Sequence, residues 1–319
     1  MRLTFHSERS RHAFDFTERT SDASRTDVEA KHRDHSSIGD SEPQYAADKA
    51  FIDNMLSRAP FNEYVAYWCL CDSKHHGVGV LVKRGIDPPL AVSRTLACDG
   101  TSTSDDIDTT QGRVLILEYE GFKFMNSYVP HNGANVTRWE SRKLWDTRME
   151  TFFKHHRGPG QKPVVWCGDL NVAHREIDVG PFPEMFTHTG GFTIPERQRF
   201  GQILVNGGLV DVYRALHGDR RVFTWRSKGG ASGPFRGVHE WAGMRLDYFI
   251  VSESLMRRVK STRISTDILS DEVARDRPVS CFFGSDHCAL YLELHSRDAA
   301  AAATNLEQID AGTEVIHLD

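Results

Sequence analysis

The apolar runs of this 319-residue chain are all short enough to be β-strands. Runs such as Val78 to Val82 and Phe249 to Val251 are among the longest, and none approaches the ~20 residues that a membrane-spanning helix requires. With 39% hydrophobic residues, the chain is long enough to bury one sizeable core. We therefore expect a soluble protein with no membrane partner, built around one large domain.

Short apolar or alternating segments, separated by turn residues, recur along the chain. They predict strands at residues 77–84, 113–119, 122–129, 163–167, 245–252 and 288–294. A tight turn at Glu120 and Gly121 joins the second and third of these strands, which predicts a hairpin.

Helical patterns interleave with the strands. A short apolar stripe predicts a helix over 48–58, and the spacing of large apolar side chains predicts a long amphipathic helix over 137–156. Thr193, followed three residues later by Glu196, has the spacing of a capping box, and the helix that it opens ends at Gly207 and Gly208. Strands interleaved with helices indicate a mixed α/β sandwich in which helices cover sheets.

The two ends of the chain lack such patterns. Residues 1–48 are polar and show neither strand alternation nor a sustained helical stripe, so we expect them to be disordered. The segment 298–319 is Ala-rich and then acidic, and we expect it to be disordered too. The predicted domain therefore covers residues 49–297.

Charge is unevenly distributed along the chain. The formal net charge is -5, yet the stretch from Arg220 to Arg263 holds ten Lys or Arg against three Asp or Glu. A local basic stretch favours a nucleic-acid ligand more than the overall charge opposes one, although a solvated surface has the same composition.

Polar side chains that carry chemistry fall at the ends of predicted strands. They are Asp169 and Asn171, Asp247 in RLDYFIVS, and Asp286 with His287 before CALYLEL. Hard divalent cations prefer carboxylate oxygens, and a carboxylate beside a histidine orients the imidazole for proton transfer. Each residue also has an ordinary structural role, as a turn or cap residue. The residues alone therefore predict only a hydrolase.

The segment PVVWCGDLNVAHREIDV resembles the signature of the exonuclease III and apurinic/apyrimidinic (AP) endonuclease family, within the DNase I-like superfamily. The order and spacing of further segments also resemble that family: NSYVPHNG, RKLWD, RLDYFIVS and GSDHCAL. The resemblance implies a four-layered α/β sandwich of two mixed β-sheets flanked by helices. It also implies cleavage of double-stranded DNA 5′ to abasic sites, with 3′-5′ exonuclease activity as a possible second reaction. The expected protein is a monomer, located in the nucleus or alternatively in mitochondria or the cytoplasm.

The resemblance also assigns roles by position. Asp169 would orient or deprotonate the attacking water, and Asn171 and Tyr128 would contact the scissile phosphate. His287 would act on that phosphate or on the proton, with its tautomer fixed by Asp247. In-line attack on a phosphodiester is limited by positioning and by charge on the phosphate oxygens, which such groups relieve.

The implied cofactor is Mg²⁺, with Mn²⁺ as an alternative. Its expected ligands are Asp169, Asn171, Asp286 and His287, and Glu42 is the nearest candidate for one more carboxylate.

The basic stretch supplies the expected DNA contacts, which are Arg226, Lys228, Arg236, Trp241 and Arg245. For Trp241 and Arg245, packing inside the protein is an equally good interpretation.

Two features depart from the family pattern. Family members begin with a strand carrying a WNxNG-like motif and a second strand that ends in QE, and residues 1–48 contain neither motif. We therefore expect the domain to lack its usual first strands. His131 stands where the family commonly has Asn, with Asn132 displaced by one residue. The missing motifs leave one alternative open, a DNA-binding relative with impaired catalysis. Another alternative is a superfamily phosphodiesterase that acts on a phospholipid or phosphoinositide, which the segment NVAHREID disfavours.

Overall fold

The protein is described by a computed structural model that covers residues 2–8, 27–33, 54–70, 77–98, 111–133, 136, 138–180, 183–226, 243–265 and 286–296. Its strands in chain order are β1 Arg2–Glu8, β2 Asp27–Arg33, β3 Tyr64–Leu70, β4 Gly77–Lys83, β5 Ala91–Ser93, β6 Val114–Glu118, β7 Lys123–Tyr128, β8 Val164–Asp169, β9 Val179–Gly180, β10 Leu209–Asp211, β11 Trp225–Arg226, β12 Gly243–Met244, β13 Asp247–Ser252, β14 Val259–Ile264 and β15 Leu290–Leu294.

These strands form two large mixed sheets and one small sheet. The first sheet has the order β14-β15-β1-β2-β4-β3, the second has the order β10-β13-β8-β7-β6-β5, and the third has the order β11-β12-β9. Parallel pairs join β1 to β2 and β7 to β8, and the other ladders are antiparallel. The predicted hairpin is present as β6 and β7.

The described helices are α1 Trp139–His156, α2 Ile194–Gly207 and α3 Val212–His217. The first matches the predicted amphipathic helix, and the second begins at the predicted capping box, where the Thr193 side chain accepts from the backbone N–H of Glu196. Gly208 ends α2 in the left-handed conformation. Of the predicted helix over 48–58, only the last part is described, and residues 54–56 are helical.

Two strands lie in the N-terminal segment that we expected to be disordered, so that prediction was wrong for them. β1 lies between β15 and β2, and β2 lies between β1 and β4. Leu3 and Phe5 alternate with polar residues, as do Val28 and Ala30, which is sufficient for a strand when neighbours supply hydrogen bonds on both edges. The domain therefore contains first strands that the motif comparison expected it to lack. The remaining residues of 1–48 and the tail 298–319 are outside the described ranges.

Two large buried clusters and one smaller one make up the core of the described residues. Val80, Leu117, Val165, Phe249 and Leu292 belong to one buried cluster that joins strands of the two large sheets. A second cluster joins the second sheet to α1 and α2 through Trp145, Phe153, Trp166, Phe200 and Tyr248. Burial of each such side chain contributes about 1.5–3 kcal/mol. Two packed sheets, the second of them covered by α1 and α2, confirm the predicted α/β class.

No helix among the described residues combines the length and the apolar composition needed to cross a membrane.

Candidate active site

Three predicted site residues lie side by side at one end of the second sheet. Tyr128 ends β7, Asp169 ends β8 and Asp247 begins β13. Tyr128 is the register partner of Asp169 in the parallel ladder, and Asp169 is the register partner of Asp247 in the antiparallel ladder. Ladder pairing thus brings together residues that are far apart in sequence.

The turn after β8 is held by short-range hydrogen bonds. Asn171 has φ of 46°, and its backbone N–H donates to Oδ1 of Asp169 at 2.9 Å. Its side-chain Nδ2 donates to the carbonyl oxygen of Val129, also at 2.9 Å. These bonds fix Asn171 between the loops that follow β7 and β8.

Gly168 allows this turn to start where it does. Its φ is 138°, and a Cβ atom at this position would lie 1.9 Å from the carbonyl oxygen of Ser127 on β7. The glycine of the GDLN segment is therefore required by the close approach of two parallel strands.

Asp247 and His287 form a buried pair. Nδ1 of His287 lies 2.8 Å from Oδ2 of Asp247, so Nδ1–H donates to the carboxylate and Nε2 lies on the opposite side of the ring. The backbone N–H of Asp247 donates to Oγ1 of Thr224 at 3.0 Å, so a third segment holds the backbone that carries the carboxylate. The prediction that Asp247 orients His287 agrees with this geometry.

The charge around His287 favours the imidazolium. Burial alone would lower the pKa of His287, but the Asp247 carboxylate, with further contributions from Asp169 and Asp286, raises the pKa from 6.5 to about 9. At neutral pH the ring therefore carries a positive charge at the end of the second sheet, where it can stabilise an anionic group.

Asp286 contacts the small third sheet. Its Oδ2 accepts a hydrogen bond from Nε1 of Trp225 at 3.1 Å, and its carbonyl oxygen accepts from the backbone N–H of Arg226 at 3.0 Å. Trp225 also forms an antiparallel bridge with His287. β11 thus joins the site to the basic segment that follows it in the sequence.

The loop after β7 carries a buried amide. Asn132 is 0% exposed, and neither side-chain polar atom has a hydrogen-bond partner among the described residues. The neighbouring His131 uses Nδ1 to accept from the backbone N–H of Gly133 at 3.0 Å.

Arg245 does not have the expected DNA-binding geometry. It is 1% exposed, its Nε donates to Asp178 at 2.7 Å, and its Nη2 donates to Asp211 at 2.6 Å. A guanidinium enclosed by two carboxylates is a structural ion pair, so the prediction of a DNA contact is wrong for this residue. The alternation of RLDYF places Arg245 two residues before Asp247, but it cannot reveal carboxylates from other elements.

Four other predicted site residues, Glu42, Lys228, Arg236 and Trp241, lie outside the described residues. Arg226 lies on β11 and is half-buried, with its guanidinium carbon 5.9 Å from the centre of the Phe223 ring.

The described residues do not fit a complete divalent-cation site of the kind that the resemblance implies. Asp169, Asp247 and Asp286 each use one carboxylate oxygen in the protein hydrogen bonds described above. Oδ1 of Asp247 is buried without a hydrogen-bond partner and is a donor of the right chemistry. However, within the described ranges no group of three or more His, Cys, Asp or Glu has metal-holding geometry, and β2 ends in His32 and Arg33 instead of a carboxylate.

Two residues that support the site had no role assigned from the sequence. The Thr224 hydroxyl accepts from the backbone N–H of Asp247, and the Arg142 side chain donates to the carbonyl oxygen of Asn171. The spacing of Arg142 and Asp146 on one helix face was the available signal, since a buried Arg needs such a partner.

Comparisons with known proteins agree with this fold. The model of the endonuclease/exonuclease/phosphatase family matches residues 29–287. A DNA-(apurinic or apyrimidinic site) endonuclease of Arabidopsis thaliana is 34% identical over 284 residues, which cover 83% of this chain and 71% of that protein. An exodeoxyribonuclease of Bacillus subtilis is 32% identical and is matched over 72% of this chain and 79% of its own length. Three other relatives with the AP endonuclease name are longer, and the matched region makes up 44%, 51% and 55% of them.

A solved structure gives the same result for the fold. The AP endonuclease LMAP from Leishmania major has a TM-score of 0.61 and 21% identity, covering 84% of this chain and 78% of that one. The sequence match over most of the chain, the shared fold and the site at the sheet end together identify the chain as a member of the endonuclease/exonuclease/phosphatase family, in its exonuclease III and AP endonuclease branch.

Proposed function

We propose that this protein is a DNA repair endonuclease that hydrolyses the phosphodiester 5′ to an abasic site in double-stranded DNA, with 3′-5′ exonuclease activity as a second reaction of the same site. The observation that carries the proposal is the alignment of Asp169, Asn171 and the Asp247–His287 pair at one sheet end. We further propose that the protein acts as a monomer and in the nucleus.

Each residue has a distinct task in the proposed reaction. The phosphate lies against His287, whose positive charge stabilises the developing charge on the phosphate oxygens through Nε2. Asn171 uses one amide hydrogen on Val129, which leaves its second amide hydrogen for a phosphate oxygen. Asp169 orients the attacking water and accepts its proton. Tyr128 contacts the phosphate through its hydroxyl group.

The family generally uses divalent metals. We therefore propose Mg²⁺ as the added cofactor, with Mn²⁺ as its substitute, which when bound would neutralise charge on the phosphate. Since the described carboxylates do not make a complete site, no step of the proposed reaction is assigned to the metal.

Incision of a labelled duplex with one tetrahydrofuran abasic analogue tests the proposal. The purified chain is incubated with Mg²⁺, with Mn²⁺ or with a chelator, beside an undamaged duplex. We expect cation-dependent cleavage on the 5′ side of the analogue, and a rate lower by about 100-fold or more for Asp169→Asn. Absence of cleavage with either cation, at enzyme concentrations that bind the duplex, would overturn the proposal.

One observation favours a second function, binding of damaged DNA without cleavage. The second strand in chain order, β2, ends in His32 and Arg33. The family pattern has Gln and Glu at the end of its second strand. A positive residue at a position that normally supplies a metal carboxylate is expected to weaken cation binding.

The variant Arg33→Glu separates the two functions. If the chain binds DNA without cleaving it, Arg33→Glu should create or strongly increase Mg²⁺-dependent incision, while Lys31→Glu, at another position of the same strand, should not. If the wild-type chain already cleaves and Arg33→Glu changes nothing, the binding-only function is excluded.

A further inference from the structure

One buried side chain contacts the backbone of two loops of the candidate site, those after β7 and β8. Arg142 lies in α1 and is 1% exposed. Its Nη1 donates to the carbonyl oxygen of Asn171 at 2.9 Å, in the loop after β8. The same nitrogen lies 3.3 Å from the carbonyl oxygen of Pro130, in the loop after β7.

The positive charge of Arg142 is compensated inside the protein. Its Nε donates to Oδ1 of Asp146 at 3.0 Å, one turn further along α1. Oε1 of Glu196 lies 3.9 Å from Nη1. Glu196 also accepts from the backbone N–H groups of Gly191 and Thr193 at 2.9 and 3.1 Å. The guanidinium is therefore fixed to two helices before it contacts the loops.

Three hydrogen bonds fix the backbone and side chain of Asn171. Its φ of 46° is left-handed, a conformation that Asn adopts more readily than most residues with a side chain. The Asp169 carboxylate holds the backbone N–H of Asn171, Val129 holds its amide, and Arg142 holds its carbonyl group. Among the hydrogen bonds of the described residues, the one from Arg142 connects Asn171 to the helical layer.

We propose that Arg142 is a positioning residue that holds the loops after β7 and β8 in register, so that Asn171 presents its amide to the substrate phosphate. This role rests on the proposed function in one respect, the assignment of Asn171 to the phosphate. Arg142 is 1% exposed and contacts loop carbonyl groups, so its assigned role is positioning and not substrate contact.

Arg142→Lys is the first test, because lysine keeps the charge but lacks the planar fork that bonds Asp146 and two carbonyl groups together. We expect kcat for incision to fall by about 10- to 100-fold, since small displacements of positioned groups have effects of this size, while KM changes by less than about 3-fold. Arg157→Lys is the control for loss of the planar fork, at an exposed position just after α1. Its Nη1 likewise contacts two carbonyl groups, those of Val205 and Asn206, at the C-terminal end of α2. The control should leave kcat unchanged.

Amide hydrogen exchange provides a readout that does not depend on activity. In Arg142→Lys, exchange should be faster in residues 129–133 and 170–173, with the strands unchanged, whereas Arg157→Lys should show faster exchange only near the end of α2. Both variants are compared at a temperature at which circular dichroism shows them folded.

The outcomes separate this inference from the proposed function. Unchanged exchange in the two loops, or a variant that folds at no temperature, overturns the positioning role. A wild-type chain that cleaves no DNA overturns the proposed function, while the exchange measurement still tests whether Arg142 holds the two loops.

Discussion

His287 carries its charge because Asp247 lies directly against its Nδ1 atom. When Asp247→Asn removes the negative charge, burial becomes the larger influence and the pKa of His287 should fall well below 9. Nuclear magnetic resonance titration of the histidine ring protons measures this pKa. A value that stays near 9 in the variant would mean that Asp169 and Asp286 supply the effect without Asp247.

The same pair makes stability depend on pH. Since the folded pKa of His287 is above 6.5, the pair contributes its full stability below about pH 6.5 and loses that contribution as pH rises through about 9. A shift of this size corresponds to at most about 3 kcal/mol in the free energy of unfolding. Urea unfolding of the wild type and Asp247→Asn at both ends of this range should show a difference that shrinks toward high pH, and a constant difference would contradict it.

Trp225 combines a partly exposed ring with a hydrogen bond to Asp286. Trp225→Phe keeps an aromatic ring but removes the N–H that holds Oδ2 of Asp286, which should lower the free energy of unfolding by about 1 kcal/mol. We also expect slower incision, because Asp286 contributes to the charge around His287. Urea unfolding and single-turnover incision measure the two effects. An incision rate equal to that of the wild type would restrict Trp225 to a structural role.

At the scale of secondary structure, the end of β8 depends on a residue without a side chain. Gly168→Ala places a methyl group 1.9 Å from the carbonyl oxygen of Ser127, so β7 and β8 must move apart. We expect a loss of about 3 kcal/mol or more in the free energy of unfolding, together with loss of activity. Gly160→Ala is the control, since its φ is 75° but its Cβ meets no atom within 4 Å. That control should cost only about 1 kcal/mol, the strain of a left-handed alanine.

Elements with local signals were predictable from the sequence, and elements without them were not. The capping box at Thr193 and the hairpin turn at Gly121 depend on residues a few positions apart, so their patterns predicted α2 and the β6–β7 pair. β1 and β2 have only two alternating apolar residues each, and their partners β15 and β4 lie far away in the sequence. Their stability comes from non-local pairing, which a local pattern does not contain.

At the scale of the whole molecule, the site needs both large sheets. Asp169 and Asp247 belong to the second sheet, whereas Asp286 and His287 precede β15 of the first. Strand-end positions and family motifs were enough to propose these four residues as site residues, and the structure brings them together. The spacing of Arg142 and Asp146 indicates a buried ion pair, but it does not tell which loops Arg142 contacts. The role of Trp225 depends on how the small third sheet packs against Asp286, which no local pattern contains.

The same architecture predicts that the N-terminal strands are indispensable. In the first sheet β1 and β2 separate β15 and β14 from β4 and β3, so a chain that begins after residue 33 would leave two strand pairs with open edges. Isolated two-stranded ribbons are marginally stable, and the layer that carries Asp286 and His287 would lose its support. We expect this truncated chain to unfold at a much lower temperature than the full chain or to aggregate, as measured by circular dichroism and size-exclusion chromatography. Removal of residues 298–319 is the matched control, since these lie beyond β15 in sequence. If the chain without residues 1–33 melts cooperatively at the temperature of the full chain, then β1 and β2 are dispensable and the domain begins where the apolar pattern of the sequence first suggested.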